Sequence, residues 1–284
     1  NERLLAVEDR VPQKVLVLST SMADLSHGVY DRLITRALRN ALDALPETMK
    51  ASTSRLSSLE AIDYIASEVA ERTRQFLREH LGDSVNSETM LRKANEWLSS
   101  IEDNPVEQTV LTGIHPSVET HHRSPILPLS YSALVTNDQR LNYHRILRDE
   151  LQSADRVDLI CPFIGTGGVN LVFDILKRFG GNLRVITTTY LGGTHVRALE
   201  RLADTGAQVR IVYEGPNQKT ALHAKAWVFH RHSGFSTATI GSSNLSPKAL
   251  ADGLEWNVRI GAKAAPQVLH ALSGTFERPW ADPR

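Results

Sequence analysis

His223 and Lys225 stand two residues apart in the run Leu222-His223-Ala224-Lys225-Ala226-Trp227-Val228-Phe229. On an extended strand that spacing sends both side chains to one face, while Leu222, Ala224, Ala226 and Val228 take the other. An imidazole beside a fixed ammonium, walled by Trp227 and Phe229, makes a poor core pair and a good anion site, and a neutral ring there is a nucleophile. The second group is Gly241-Ser242-Ser243-Asn244-Leu245-Ser246-Pro247-Lys248, which joins a strand end to a helix start. Free backbone N–H groups and the helix dipole at such a junction favour a phosphate, and Ser242, Ser243 and Asn244 add neutral donors. Glu255 follows at the head of a further strand. A carboxylate there is expected to accept a hydrogen bond from one nitrogen of His223 and so set which nitrogen attacks.

These residues meet only if several strands end at one edge. Apolar strands over 157–161, 183–187 and 209–213 alternate with helices that end near Phe179 and span 195–202, which predicts a mostly parallel sheet covered by helices. Segments 221–229 and 236–240 flank His232-Ser233-Gly234 as a hairpin. Ser246 is the expected N-cap of a short helix with Pro247 first inside it. A strand over 255–260 and a helix over 266–276 follow. The first part of the chain reads as helices: one from Val29 to Leu42, one that starts at the capping box Ser57/Glu60, and one over 87–101. Pro105, Pro116, Pro125 and Pro128 then forbid a long helix. The resulting division is an unassigned leader over 1–21, a helical accessory domain over 22–103, a proline-containing linker over 104–130 and an α/β domain with the site over 131–284. The chain begins at Asn1 without a methionine, so either Met22 is the true start or the whole is an excerpt.

The 284 residues, 41% hydrophobic and 23% charged, exclude a disordered or fibrous chain. No apolar run approaches a membrane span, and the N-terminus lacks a signal-peptide pattern, so a cytoplasmic location is expected. The single cysteine, Cys161, forms no internal disulfide and no cysteine-based zinc site, and is read as a buried small hydrophobe. Basic and acidic residues balance at 32 each, but residues 1–123 hold 14 and 19 while residues 124–284 hold 18 and 13. An anionic ligand therefore belongs with the C-terminal part. His230 and His232 read as exposed turn histidines, since no nearby Asp, Glu or Cys completes a metal site. Gly165-Thr166-Gly167-Gly168 fits either a phosphate cradle or a tight strand-to-helix turn, and Thr187–Tyr190 ends a strand where open α/β sheets bind ligands.

His-x-Lys, then Gly-Ser-x-Asn, then a glutamate resembles the phospholipase D-like, or HKD, superfamily. The resemblance implies a phospholipase D-like mixed sheet flanked by helices and a phosphodiesterase that needs no metal and no cofactor. In it one histidine forms a covalent phosphohistidine and a second protonates the leaving oxygen. Carried over, His223 matches the nucleophile or acid, Lys225 and Asn244 the phosphate clamp, Ser242 a further clamp donor and Glu255 the orienting acid. Many members have an aspartate five residues after the lysine; His230 stands there in this chain. Nuclease members do without it, which favours nucleic acid, DNA foremost, over lipid. A narrower resemblance, carried by His27-Gly28-Val29-Tyr30-Asp31-Arg32-Leu33-Ile34-Thr35, Ala154–Asp158, Thr187–Tyr190 and Asp252–Asn257, is to the N-terminal region of bacterial superfamily-two DEAD/DEAH-box helicases that carry such a domain. It implies a helicase motor in cis or in trans and a role in DNA defence or repair. This chain holds no Gly-x4-Gly-Lys-Ser/Thr loop and no Asp-Glu-x-His run. With one H-x-K per chain, two histidines at one phosphate require a homodimer. The alternative is an inactive nucleic-acid-binding or dimerisation module of a helicase.

Overall fold

The computed structural model describes residues 25–80, 89, 92, 106–117, 125–137, 142–213 and 221–281. Its first layer departs from the helical expectation. Gly28–Thr35 is strand β1, and only Arg36–Asp43 is helix α1, capped where Thr35 Oγ1 accepts from the Leu38 N–H at 3.2 Å. Strand β2 (Met49–Arg55), helix α2 (Ser58–His80) and strand β3 (Val106–Pro116) follow, and the strands form an antiparallel sheet in the order β1-β3-β2. The accessory region is thus mixed rather than helical, and β3 occupies much of the expected linker. The capping box holds: the Ser57 N–H donates to Glu60 Oε2 at 2.9 Å and the Glu60 N–H to Ser57 Oγ at 3.3 Å. The leader and nearly all of the helix expected over 87–101 lie outside the described residues.

The second layer is a seven-stranded sheet in the order β4-β10-β9-β8-β5-β6-β7. Its strands are β4 (Ala133–Val135), β5 (Arg156–Ile160), β6 (Leu183–Thr188), β7 (Gln208–Val212), β8 (Ala226–His230), β9 (Thr237–Gly241) and β10 (Asn257–Gly261). Only β5-β6 and β6-β7 are parallel; the other pairings are antiparallel, so the sheet is mixed and not mostly parallel. The expected β8–β9 hairpin is present, with Phe229 opposite Thr237. Helices α3 (Tyr143–Ser153), α4 (Thr166–Leu176) and α5 (Val196–Asp204) cover one face. They bury Leu147, Leu151, Val172, Leu176 and Leu202 against Val157, Leu159, Val185, Trp227 and Phe229. Helix α6 (Pro247–Ala251) starts as expected, with Ser246 Oγ accepting from the Ala249 N–H and Pro247 in the first turn. On the other face α7 (Pro266–Ala281) seals Val228 and Ala238 with Leu269.

Two buried polar knots hold these parts in register. Glu150 on α3 binds Arg231 at 2.6 Å and Arg259 at 2.9 Å, and Arg259 also donates to the carbonyls of Pro128 and Tyr131 at 2.6 Å. Asp31 on β1 accepts from the Ser130 N–H at 2.7 Å, and Ser233 Oγ donates to the Val29 carbonyl at 2.5 Å. The antiparallel layer therefore meets the turn between β8 and β9, where Phe235 packs with Val29 and Tyr30. That turn lies at the opposite end of β8 from His223. Among the described residues no helix is long and apolar enough to cross a membrane.

Candidate active site

Because β5, β6 and β7 run one way and β8 runs back beside β5, the ends of β5, β6, β7 and β9 and the starts of β8 and β10 share one edge. His223, Lys225, Gly241, Ser242, Asn244 and Trp256 line an open cleft of about 440 Å³ there. The edge placement follows from the strand order, so residues far apart in sequence converge.

His223 and Lys225 precede β8 instead of lying on it. Lys225 is buried and curls back, donating through Nζ to the His223 carbonyl at 2.9 Å, with Nζ 3.2 Å from Nδ1 and 3.4 Å from Nε2 of the ring. Burial pushes the Lys225 ammonium below the usual lysine range, against the opposing pull of Cys161 and Glu255. The His223 ring is exposed, and Phe163 meets it edge-on at 6.2 Å between ring centres. Trp227 and Phe229, expected to wall the imidazole, instead stack on each other in the core. Their parity is that of the strand, and His223 lies before the strand begins. The aromatic neighbours of the cleft are Phe163, just after β5, and Trp256, which is 65% exposed. Phe163 carried no signal in the sequence, since only the β5–β8 pairing brings it near.

The Gly-Ser-Ser-Asn segment divides its side chains. Ser242 reaches the cleft, and the Ser242 N–H donates to the Trp256 carbonyl at 3.1 Å. Ser243 does not: it is buried, its Oγ accepts from Asn257 Nδ2 at 2.8 Å and donates to the Ala249 carbonyl at 3.3 Å. The expectation that Ser243 binds phosphate is therefore withdrawn, because its donor is used inside the fold. Asn244 faces the cleft, with Oδ1 4.0 Å from Cys161 Sγ. Cys161 is buried as expected, and burial pushes its thiol up to about 11.

Glu255 departs most from expectation. Its Oε2 accepts from Ser242 Oγ, and no hydrogen bond joins it to His223 among the described residues. Ser242, at the same sheet edge, takes the carboxylate; the Trp256 N–H in turn donates to Ser242 Oγ at 3.1 Å. Glu255 thus engages the Ser242 hydroxyl rather than the imidazole, and with the Ser242 N–H on the Trp256 carbonyl both Ser242 donors are used inside the fold, so the expected clamp role of Ser242 does not fit the structure. His230 is likewise not a free turn residue, since its Nε2 lies 2.7 Å from Asp158 Oδ2 across the β5–β8 pair. The glycines that open α4 serve packing: at Gly168, in its first turn, a Cβ would lie 2.2 Å from the Leu245 carbonyl oxygen. That close approach seats α4 against the loop that carries Asn244. Among the described residues no three His, Cys, Asp or Glu side chains form a group able to hold a metal ion.

The cleft offers one exposed imidazole and two donors, an ammonium and an amide, disposed around a space open to a bulky ligand. No curated protein matches the sequence. Among solved structures, the chain is similar to Nuc, a phospholipase D family member from Salmonella typhimurium, at 14% identity and a TM-score of 0.43, covering 54% of this chain and 96% of that one. It is similar to NucT from Helicobacter pylori at 12% identity and a TM-score of 0.38, covering 53% and 96%. It is also similar to yeast tyrosyl-DNA phosphodiesterase at 15% identity and a TM-score of 0.31, covering 45% and 31%. Residues 147–280, which contain every side chain of the cleft, match the family model described as cardiolipin synthase, PLD-like domain.

Proposed function

We propose that this chain is a metal-independent phosphodiesterase acting on nucleic acid, DNA foremost, through a phosphohistidine. The observation that carries the reading is the convergence of His223, Lys225, Ser242 and Asn244 on one open cleft within a PLD-like segment. In this reading one His223 ring nitrogen attacks phosphorus in line, the bond to the leaving oxygen breaks, and His223 of the partner subunit gives that oxygen a proton. Water, deprotonated by the partner's His223, then displaces the phosphate and restores the ring. Lys225 and Asn244 stabilise the charge that builds on the non-bridging oxygens. The endonucleolytic mode, the homodimer and a helicase partner in DNA defence or repair belong to the same proposal.

One observation favours a second reading. Glu255 is bound to Ser242, and among the described residues no carboxylate hydrogen-bonds His223, as suits a non-catalytic nucleic-acid-binding or dimerisation module. Cleavage of labelled DNA and RNA by the wild type and by His223→Ala, each in EDTA and in magnesium, separates the two. The hydrolytic reading expects cleavage in EDTA that disappears with the substitution while binding survives. Binding by an inactive wild type would support the module instead.

A further inference from the structure

On the β6–β7 side of the cleft the sheet edge ends in exposed apolar and aromatic side chains. Tyr190 and Leu191 sit on the short turn Tyr190–Gly192 that follows β6, and Tyr213 follows β7; they are 39%, 80% and 72% exposed. Thr188 opposite Val212 is the last pair of those strands, so Tyr190 and Tyr213 leave neighbouring strands at the same edge. The approach to the turn is fixed. Thr187 Oγ1 and Thr194 Oγ1 lie 2.8 Å apart, and Thr194 donates to the Pro162 carbonyl at 2.8 Å. Leu191 is held at φ 53°, a left-handed conformation that costs a leucine on the order of 1 kcal/mol, although its side chain gains nothing from burial.

The turn is also joined to the cleft. A Cβ at Gly193 would lie 2.2 Å from the Phe163 ring, so the turn rests directly on Phe163, and Phe163 meets the His223 imidazole edge-on. From Trp256 on the β10 side to Tyr213 on the β7 side the edge crosses five strand spacings, roughly 24 Å. The cleft side chains sit within this row, and exposed aromatic side chains stand at either side of them.

We propose that Tyr190 and Tyr213 form a stacking shelf that makes the substrate a single-stranded nucleic acid, bound by its unpaired bases beside the phosphate cleft. The inference rests on the phosphodiesterase reading of that cleft. Bases within a duplex stack on one another and offer no free face, whereas a single strand presents every base to an aromatic ring. The shelf is sequence-tolerant for the same reason, since every base has a π-face. Leu191, displayed between the two rings in sequence, adds apolar contact.

The test uses the full chain and three fluorescent probes of equal length: a single-stranded DNA oligomer, its duplex, and an abasic single strand that keeps the phosphates without the bases. Binding is read by anisotropy, and turnover of bis(p-nitrophenyl) phosphate reads the cleft separately. The expected result is tighter binding of the single strand than of the duplex. Tyr190→Ala and Tyr213→Ala each weaken single-strand binding on the order of fivefold or more, with the abasic strand unaffected. Tyr→Phe at either site restores the affinity, and turnover of the small diester stays at the wild-type level in all four variants while His223→Ala abolishes it. Wild-type single-strand affinity in both alanine variants, or an equal loss on all three probes, overturns the shelf. Ring-dependent single-strand binding by a wild type that hydrolyses neither oligomer nor small diester supports the shelf and overturns the hydrolytic reading.

Discussion

Gly168→Ala tests whether the close seat of α4 on the Asn244 loop sets the cleft. The added Cβ would lie 2.2 Å from the Leu245 oxygen, 2.4 Å from its carbonyl carbon and 2.7 Å from the Ser246 nitrogen, all backbone atoms. Relief requires about 1 Å of separation, given that carbon contacts are optimal near 3.5–4.0 Å and close carbon–oxygen contacts are somewhat shorter. The loop is not free to recoil. The Gly165 N–H donates to the Leu245 oxygen at 2.9 Å, the Leu245 N–H donates to the Phe163 carbonyl at 3.2 Å, and Ile164 bridges Leu245. Overpacking of this kind costs about 1–3 kcal/mol. A displacement near 1 Å of Asn244, next in the chain to Leu245, lowers turnover on the order of a hundredfold. Gly274→Ala is the control of opposite sign: it lies inside α7 with nothing within 4 Å of the new Cβ, so the helix gains about 0.5–1 kcal/mol. Urea midpoints and turnover of the small diester read both variants. If Gly168→Ala unfolds at the wild-type midpoint with wild-type turnover, the close approach does not position the clamp. If Gly274→Ala loses stability as well, the steric reasoning fails at both sites.

Asp158 is held down to about 2: burial opposes its ionisation, but hydrogen bonds and charge from His230 and Arg184 outweigh it. Its folded pKa lies below the unfolded value near ~3.9, so its contribution is complete above about pH 4 and lost as pH falls toward 2. Asp158→Asn should flatten the acid limb of stability in that window, seen in urea melts across pH. Glu150→Ala should destabilise by about 3–5 kcal/mol, because Arg231 and Arg259 would remain buried without their shared counter-charge; an unchanged urea midpoint refutes this. Lys225 loses its proton below the usual lysine range, so the alkaline limb of turnover should fall below pH ~10.4 and move upward in Lys225→Arg. A limb that stays in place assigns it to another group. Light scattering at micromolar concentration should give twice the 31.5 kDa chain mass, and a strict monomer that still cleaves would refute the shared site.

Most of the C-terminal half was legible where an element satisfies its own period, although β4 and the antiparallel β4-β10 and β5-β8 pairings were not. The helix start at Ser246-Pro247, the hairpin around His232-Ser233-Gly234 and the strands at β5, β6 and β7 all form where apolar pattern and turn chemistry agree. Strand β1 was not legible for a physical reason. Its pairing with β3 slips between Val29 and Arg32 and again between Leu33 and Thr35, so burial runs three residues at a time instead of alternating. Three buried, one half-buried, three buried is the spacing that imitates a helix. Only the partner strand, many residues away, distinguishes the two.

Within the site, residue types were legible and their partners were not. Spacing placed His223, Lys225, Ser242 and Asn244 at one edge, but hydrogen-bond pairing is decided by which polar atom stands nearest. Ser242 donates to Glu255 and takes the carboxylate, while a second acid, Asp158, serves His230 on the sheet face rather than at its edge. Both carboxylates are therefore committed away from His223, and among the described residues the Lys225 ammonium and the Phe163 ring meet its imidazole. An imidazole held this way depends on its substrate for orientation. In the proposed reading Lys225 and Asn244 orient the phosphate, while the bases of the strand gain affinity on Tyr190 and Tyr213 without being needed to align the phosphorus. Phe163, which packs against Gly193 beside the proposed shelf and meets the His223 ring edge-on, joins the two proposed parts of the site.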